Sequence, residues 1–204
     1  PYTPAAHSKI RSREAAILAT KKAIALAEKY SARLAILHVS TKEEVDLIRA
    51  AKQRELLVYM EVSPHHLFLT DQSYETLGTK LQMNPPIRTA EDVEALWDAI
   101  EEGVVDFIGS DHAPHTLEEK DQCYGKAPSG VPGIETLLPL LLNAYNEGKI
   151  SLEKIITLTN VNIVQIFNLH RILDVVVVDL ELVRIVDNKN LKTKCGWSPF
   201  EGYM

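Results

Sequence analysis

The chain has 204 residues, enough for a domain with a sizeable core, and its 46% hydrophobic and 25% charged residues are ordinary for a globular protein. Twenty-two basic against 28 acidic residues give a net charge of −6 with no Lys/Arg cluster, which argues against a nucleic-acid partner. Apolar runs such as Leu137 to Leu142 are too short to span a bilayer, so no membrane partner is expected. Cys123 and Cys195 lack CxxC spacing, suggest no disulfide framework and fit a reducing, cytoplasmic setting. Pro1-Tyr2-Thr3-Pro4 reads as neither a signal peptide nor an initiation site, and the first methionine is Met60, so the sequence reads as part of a longer protein.

Residues 1–9 read as loop. From Ile10 to Tyr30, Ile10, Ile17 and Ile24 with Leu18 and Ala25 recur at helical spacing and predict an amphipathic helix. Leu34 to Leu37 reads as a strand ending in His38. Thr41, with Glu44 three residues on, has the capping-box pattern and opens a helix to about Arg54. Leu56 to Val62 is the next strand, closed by Ser63-Pro64-His65-His66. Residues 67–90 form a long connection with a short helix around Ser73 to Leu77 and the proline-stiffened Asn84-Pro85-Pro86-Ile87-Arg88. Thr89 caps a helix from Ala90 to Glu102 that turns Val93, Leu96, Trp97 and Ile100 to one side, and Gly103 ends it. Val104 to Ile108 is a third strand, ending in Ser110-Asp111-His112-Ala113-Pro114-His115. A Gly/Pro-punctuated loop to Gly133 leads to a helix from Ile134 to Tyr145, interrupted at Pro139. Ser151 caps another, and Asn160 or Asn162 restarts a third through Phe167. Val175 to Val178 reads as an apolar strand, Asp179 to Asn190 as a β or irregular piece, and Lys194 to Gly202 as a loop.

Alternating helices and strands mean parallel strands with crossover helices, either a doubly wound sheet or part of a (β/α)8 barrel. Parallel strands end on the same side, so His38, His65/His66 and Asp111/His112/His115 can converge there. Imidazole and carboxylate together favour zinc or a similar metal, and a carboxylate beside the metal can take a proton from water. A lone histidine at a strand end is also an ordinary hydrogen-bonded residue, and Asp111 also suits a turn or cap. No Gly-x-Ser-x-Gly elbow, Gly-x-Gly-x-x-Gly loop or Walker A loop is present.

Asp106-Phe107-Ile108-Gly109-Ser110-Asp111-His112-Ala113-Pro114-His115 resembles a signature of the dihydroorotases, within the amidohydrolase superfamily. Leu37 to Thr41, Glu61 to Leu67, Asn84 to Arg88, Gly130 to Thr136 and Lys194 to Gly202 resemble further family motifs in the same order. The resemblance implies an α/β fold: residues 1–170 as the C-terminal part of a (β/α)8 TIM-type barrel, strands six to eight, and residues 171–204 as part of a small β-rich domain and C-terminal loop. It implies zinc, binuclear in the complete protein, with His38 and Asp111 as metal ligands and Asp111 as the catalytic base and then acid. Asn84 and His115 would bind substrate, Pro132 and Gly133 would pair with the ring through their backbone, and Arg88 would steady the Asn84 loop. Glu61 serves an extra metal in relatives with a Cys where Leu37 stands here, so that metal is not expected. His7, His65, His66 and His112 are read as structural. The family's remaining ligands, a His-x-His pair, a bridging carboxylated Lys or Asp and a further His, precede the part this sequence matches, so these residues alone do not complete a metal centre. The implied activity is reversible hydrolysis of the cyclic amide of dihydroorotate to N-carbamoyl-aspartate. The implied partners are that small-molecule substrate and either a second copy or another pyrimidine-pathway enzyme. A hydantoinase- or allantoinase-type enzyme and an inactive dihydroorotase-like scaffold are the alternatives.

Overall fold

The computed structural model describes residues 3–170 and 175–204. Three short parallel strands, β1 (Leu34–Ile36), β2 (Val58–Val62) and β3 (Phe107–Ile108), make one sheet in the order β1-β2-β3. Leu34 pairs with Val58 and Ile36 with Met60 on one side of β2, and Glu61 pairs with Phe107 and Val62 with Ile108 on the other. Helices α1 (His7–Ile10) and α2 (Arg13–Tyr30) precede β1, and α3 (Lys42–Gln53) joins β1 to β2. Between β2 and β3 come α4 (Pro64–Phe68), α5 (Tyr74–Leu77) and α6 (Ala90–Glu101); after β3 come α7 (Leu117–Lys120), α8 (Ile134–Asn146), α9 (Leu152–Ile156) and α10 (Asn162–Ile166). The order is that of consecutive βα units, in which helices cover a parallel sheet and the strand ends share one face.

The core between sheet and helices is built on Ile24, Ile48, Met60, Val62, Leu96 and Ile108. A second cluster, including Leu69, Met83, Ile87, Val131, Trp197 and Phe200, lies beneath the loops that follow β2 and β3. The expected capping box forms: Thr41 Oγ1 accepts from the Glu44 backbone N–H at 3.3 Å, and Glu44 Oε2 accepts from the Thr41 N–H at 3.2 Å. Glu44 is buried, and its other oxygen accepts from Thr20 Oγ1 at 2.8 Å. One carboxylate thus caps α3, steadies the segment after His38 and docks α2.

The helix expected from Ile10 breaks at Arg11-Ser12, and Ser12 restarts it by accepting from the Ala15 N–H at 3.3 Å. Its inward face carries Thr20, Ile24 and Ala27, while Leu18 and Ala25 point outward, because the Thr20–Glu44 bond sets its rotation. Helix α8 runs through Pro139 rather than stopping there. A π turn over Thr157–Val161 joins α9 to α10 without a new cap.

The larger difference is in the tail. Val175 to Val178 does not form a strand, and among the described residues of 175–204 there is no strand at all. Val177 is 90% exposed: these valines meet no neighbouring strand to pair with, and β-propensity alone does not hold an isolated strand. The second of the two expected units begins at residues 171–174, which lie outside the described ones.

Candidate active site at the strand tips

Each strand is followed by a polar tip. His38 lies two residues past β1 and Asp111 three past β3, and both have left-handed backbone, φ +42° and +44°. Non-glycine residues seldom adopt that conformation, and where they do the backbone often serves to aim a side chain. Among the described residues no hydrogen bond holds His38 Nδ1, which is buried.

Glu61, in β2, lies between these two tips. The Gly109 Cα leaves room for it: a Cβ at Gly109 would stand 1.7 Å from Glu61 Oε1. Burial and, to a lesser degree, the Asp111 charge push the Glu61 carboxyl up to about 7, against the pull of a hydrogen bond from the His38 backbone. The β2 tip also carries His65, whose Nε2 comes within 3.5 Å of Asp111 Oδ2. His66 Nε2 donates to the Pro85 carbonyl at 3.2 Å, and burial drives its ring well below the ordinary value, so it is neutral.

The loops that follow are laced together. His112 and Val131 form a parallel bridge, and the Ala113 N–H donates to Val131 O at 3.0 Å. His112 Nδ1 accepts from the Gly133 N–H at 3.0 Å, at the start of α8. That contact occupies the Gly133 N–H, so a ligand bonding there competes with His112. Gly133 is required by close approach, since a Cβ would lie 2.5 Å from Ser110 O. The next link is Lys120, which sequence reasoning missed. Its ammonium is buried and donates to three carbonyls, Gln82 and Gly130 at 2.9 Å and Pro128 at 2.8 Å, and burial lowers its pKa to about 8. It joins the Asn84 loop to the Pro132-Gly133 loop. A lone Lys in Leu117-Glu118-Glu119-Lys120 carries no sequence signal for this, because its acceptors are backbone.

Asn84 is exposed, with its Oδ1 3.2 Å from His7 Nε2. Arg88 Nη1 donates to Ser8 O and Arg11 O, both at 3.0 Å, fixing the segment that carries His7. His115 is part-exposed, its Nδ1 3.6 Å from Glu119 Oε2, and its carbonyl accepts from Trp197 Nε1 at 2.7 Å. The C-terminal loop thus props the His115 loop from below.

Among the described residues, no three His, Cys, Asp or Glu side chains are arranged to hold a metal ion. The orphaned His38 nitrogen and the Asp111 carboxylate are donors zinc accepts, but a zinc site takes four ligands. The chain fits part of a metal centre.

Over 98% of its length the chain is 38% identical to the dihydroorotase of Halobacterium salinarum, covering 48% of that protein. The chain is a homologue of part of the dihydroorotases. It is also 44% identical, over 85% of its length, to the multifunctional protein pyr1-3 of Dictyostelium discoideum, covering 8% of it. Among solved structures it resembles the L-hydantoinase (dihydropyrimidinase) of Arthrobacter aurescens, with a TM-score of 0.86 and 31% identity over 92% of this chain and 44% of that one. No protein-family model matches the chain. The chain therefore spans about half the length of the dihydroorotase it matches, and its α/β fold with a small parallel sheet agrees with part of an amidohydrolase barrel. Among the described residues no helix is long and apolar enough to cross a membrane.

Proposed function

We propose that the protein containing this dihydroorotase-like chain is a zinc-dependent dihydroorotase, which opens and closes the cyclic amide of dihydroorotate in pyrimidine biosynthesis. The observation that carries this reading is the paired left-handed backbone of His38 and Asp111 on either side of Glu61, in a chain matching a dihydroorotase over nearly all its length. In this reading β1, β2 and β3 are strands six, seven and eight of a (β/α)8 barrel. Residues 1–170 complete its C-terminal part, and residues 171–204 belong to a smaller domain and a loop returning to the site.

His38 and Asp111 would hold metal together with donors outside this stretch. Bound zinc would lower the pKa of water towards ~7. Asp111 takes the proton released as oxygen adds to the ring carbonyl, and returns it to the amide nitrogen as the C–N bond breaks. Asn84 and His115 orient the substrate, and the Pro132-Gly133 backbone lies along the ring. The match to a multifunctional protein supports association with other enzymes of the same pathway.

The test is ring opening of dihydroorotate and cyclisation of N-carbamoyl-aspartate by the full-length protein loaded with zinc. Asp111→Ala is expected to lose about 10²–10⁴-fold in turnover, the span ascribed to a general acid–base group, or more where the metal is lost as well. Turnover within tenfold of the native protein would refute the assigned role. The likeness to L-hydantoinase supports a second reading, a cyclic amidase acting on hydantoins or dihydropyrimidines. Faster opening of those rings than of dihydroorotate would decide for it.

A further inference from the structure

We propose that His7 is a positioning residue for substrate recognition: a Tyr124–His7–Asn84 relay fixes the Asn84 amide so that it presents its NH2 group, not its carbonyl, to the ligand. The inference rests on the reading above that Asn84 faces substrate. His7 is 4% exposed, and its Nε2 lies 2.9 Å from the Met83 carbonyl and 3.2 Å from Asn84 Oδ1. A backbone carbonyl only accepts, so Nε2 must carry the hydrogen. Nδ1 is then the acceptor, and the Tyr124 hydroxyl, 2.9 Å away, donates to it. Burial holds the ring below its usual pKa and keeps it neutral, so one tautomer satisfies every contact. With Oδ1 engaged by an N–H, the Asn84 NH2 turns the other way, and it has no hydrogen-bond partner among the described residues. Asn84 therefore offers two donors to a ligand oxygen and selects an acceptor such as a carboxylate or ring carbonyl. Arg88, through the carbonyls of Ser8 and Arg11, keeps the His7 segment in place.

The chain position of His7 gave no hint of this, since it lies 77 residues from Asn84. The experiment is a double-mutant cycle in the full-length zinc enzyme, using His7→Phe, His7→Gln, Asn84→Ala and His7→Phe/Asn84→Ala. His7→Phe is expected to raise KM for dihydroorotate about tenfold with kcat within about threefold, and His7→Gln, which keeps a donor, to recover most of the loss. In the Asn84→Ala background His7→Phe is expected to add nothing to KM. Multiplying effects, or a His7→Gln variant as impaired as His7→Phe, overturns the proposal. Should His7→Phe fail to fold, Tyr124→Phe takes its place in the cycle, with an expected rise in KM of about threefold that likewise vanishes without Asn84; an unchanged KM overturns the relay. A second readout does not need turnover. The side-chain NH2 signal of Asn84 in NMR, identified by its loss in Asn84→Ala, is expected to be a single sharp pair that broadens or doubles in His7→Phe or Tyr124→Phe. If the native protein opens no dihydroorotate, the activity reading fails while this signal still decides the relay; an unchanged signal refutes it.

Discussion

His65 Nε2 stands 3.5 Å from Asp111 Oδ2, at contact distance rather than in a formed hydrogen bond, and among the described residues no other partner reaches that buried nitrogen. His65 is the second residue of the short helix after β2 and is 1% exposed, so it is held in place while Asp111 sits on a strained loop at the next strand. An imidazole so placed limits where the Asp111 carboxylate can point. His65→Asn, which keeps a polar group but shortens it, is expected to lower turnover by about 10–100-fold, the usual cost of losing a group that orients a metal-binding side chain. Turnover and zinc content are measured together; native values of both would remove His65 from the site.

The Gly109–Glu61 contact makes a steric prediction. A methyl at Gly109 would overlap the Glu61 carboxylate, with 1.7 Å between the new carbon and Oε1. Gly109→Ala is expected to cost about 1–3 kcal/mol through overpacking. Glu61→Ala removes the obstacle, so the double variant should melt above Gly109→Ala alone. Additive losses in thermal unfolding would show that the strain lies elsewhere in the strand.

Much of this architecture follows from local sequence. Thr41 and Glu44 announce a helix start because capping is satisfied within four residues, and the strand tips stand out because Ser63-Pro64-His65 and Ser110-Asp111-His112 end apolar runs abruptly. What resists reading is long-range. The rotation of α2 depends on Thr20 meeting Glu44, 24 residues on. Lys120 looks like a surface cation until backbone carbonyls from two other loops surround it. The Val175 to Val178 run has strand composition but no partner strand among the described residues, and a strand is defined by its partner.

Trp197 links the C-terminal loop to His115. It is 1% exposed and its indole N–H donates to the His115 carbonyl at 2.7 Å. Trp197→Phe keeps most of the apolar contact and removes that bond, at an expected cost of about 1–3 kcal/mol for a carbonyl left without its donor. In the proposed reading the effect on catalysis is a higher KM, since the loop carrying His115 loses its prop. A stability loss with KM unchanged would separate Trp197 from substrate binding.

Lys120 gives a pH dependence whose sign is the reverse of a surface lysine in an ion pair. Its pKa is about 8 in the folded protein against 10.5 when exposed, because burial disfavours the ammonium. Between those values the unfolded chain binds a proton that the folded chain has released. Stability from this group therefore rises with pH across the window and is least below about 8. Lys120→Met removes the titration and leaves the carbonyls of Gln82, Pro128 and Gly130 without that donor. The variant is expected to be less stable than the native protein at pH 7 by about 1–3 kcal/mol, from unmet hydrogen bonds. The gap should widen when denaturant unfolding is repeated at pH 9.5. A gap that stays the same over that range would mean that the three carbonyls hold the ammonium charged despite its burial, and that the loop clasp is a cation site in the alkaline range as well.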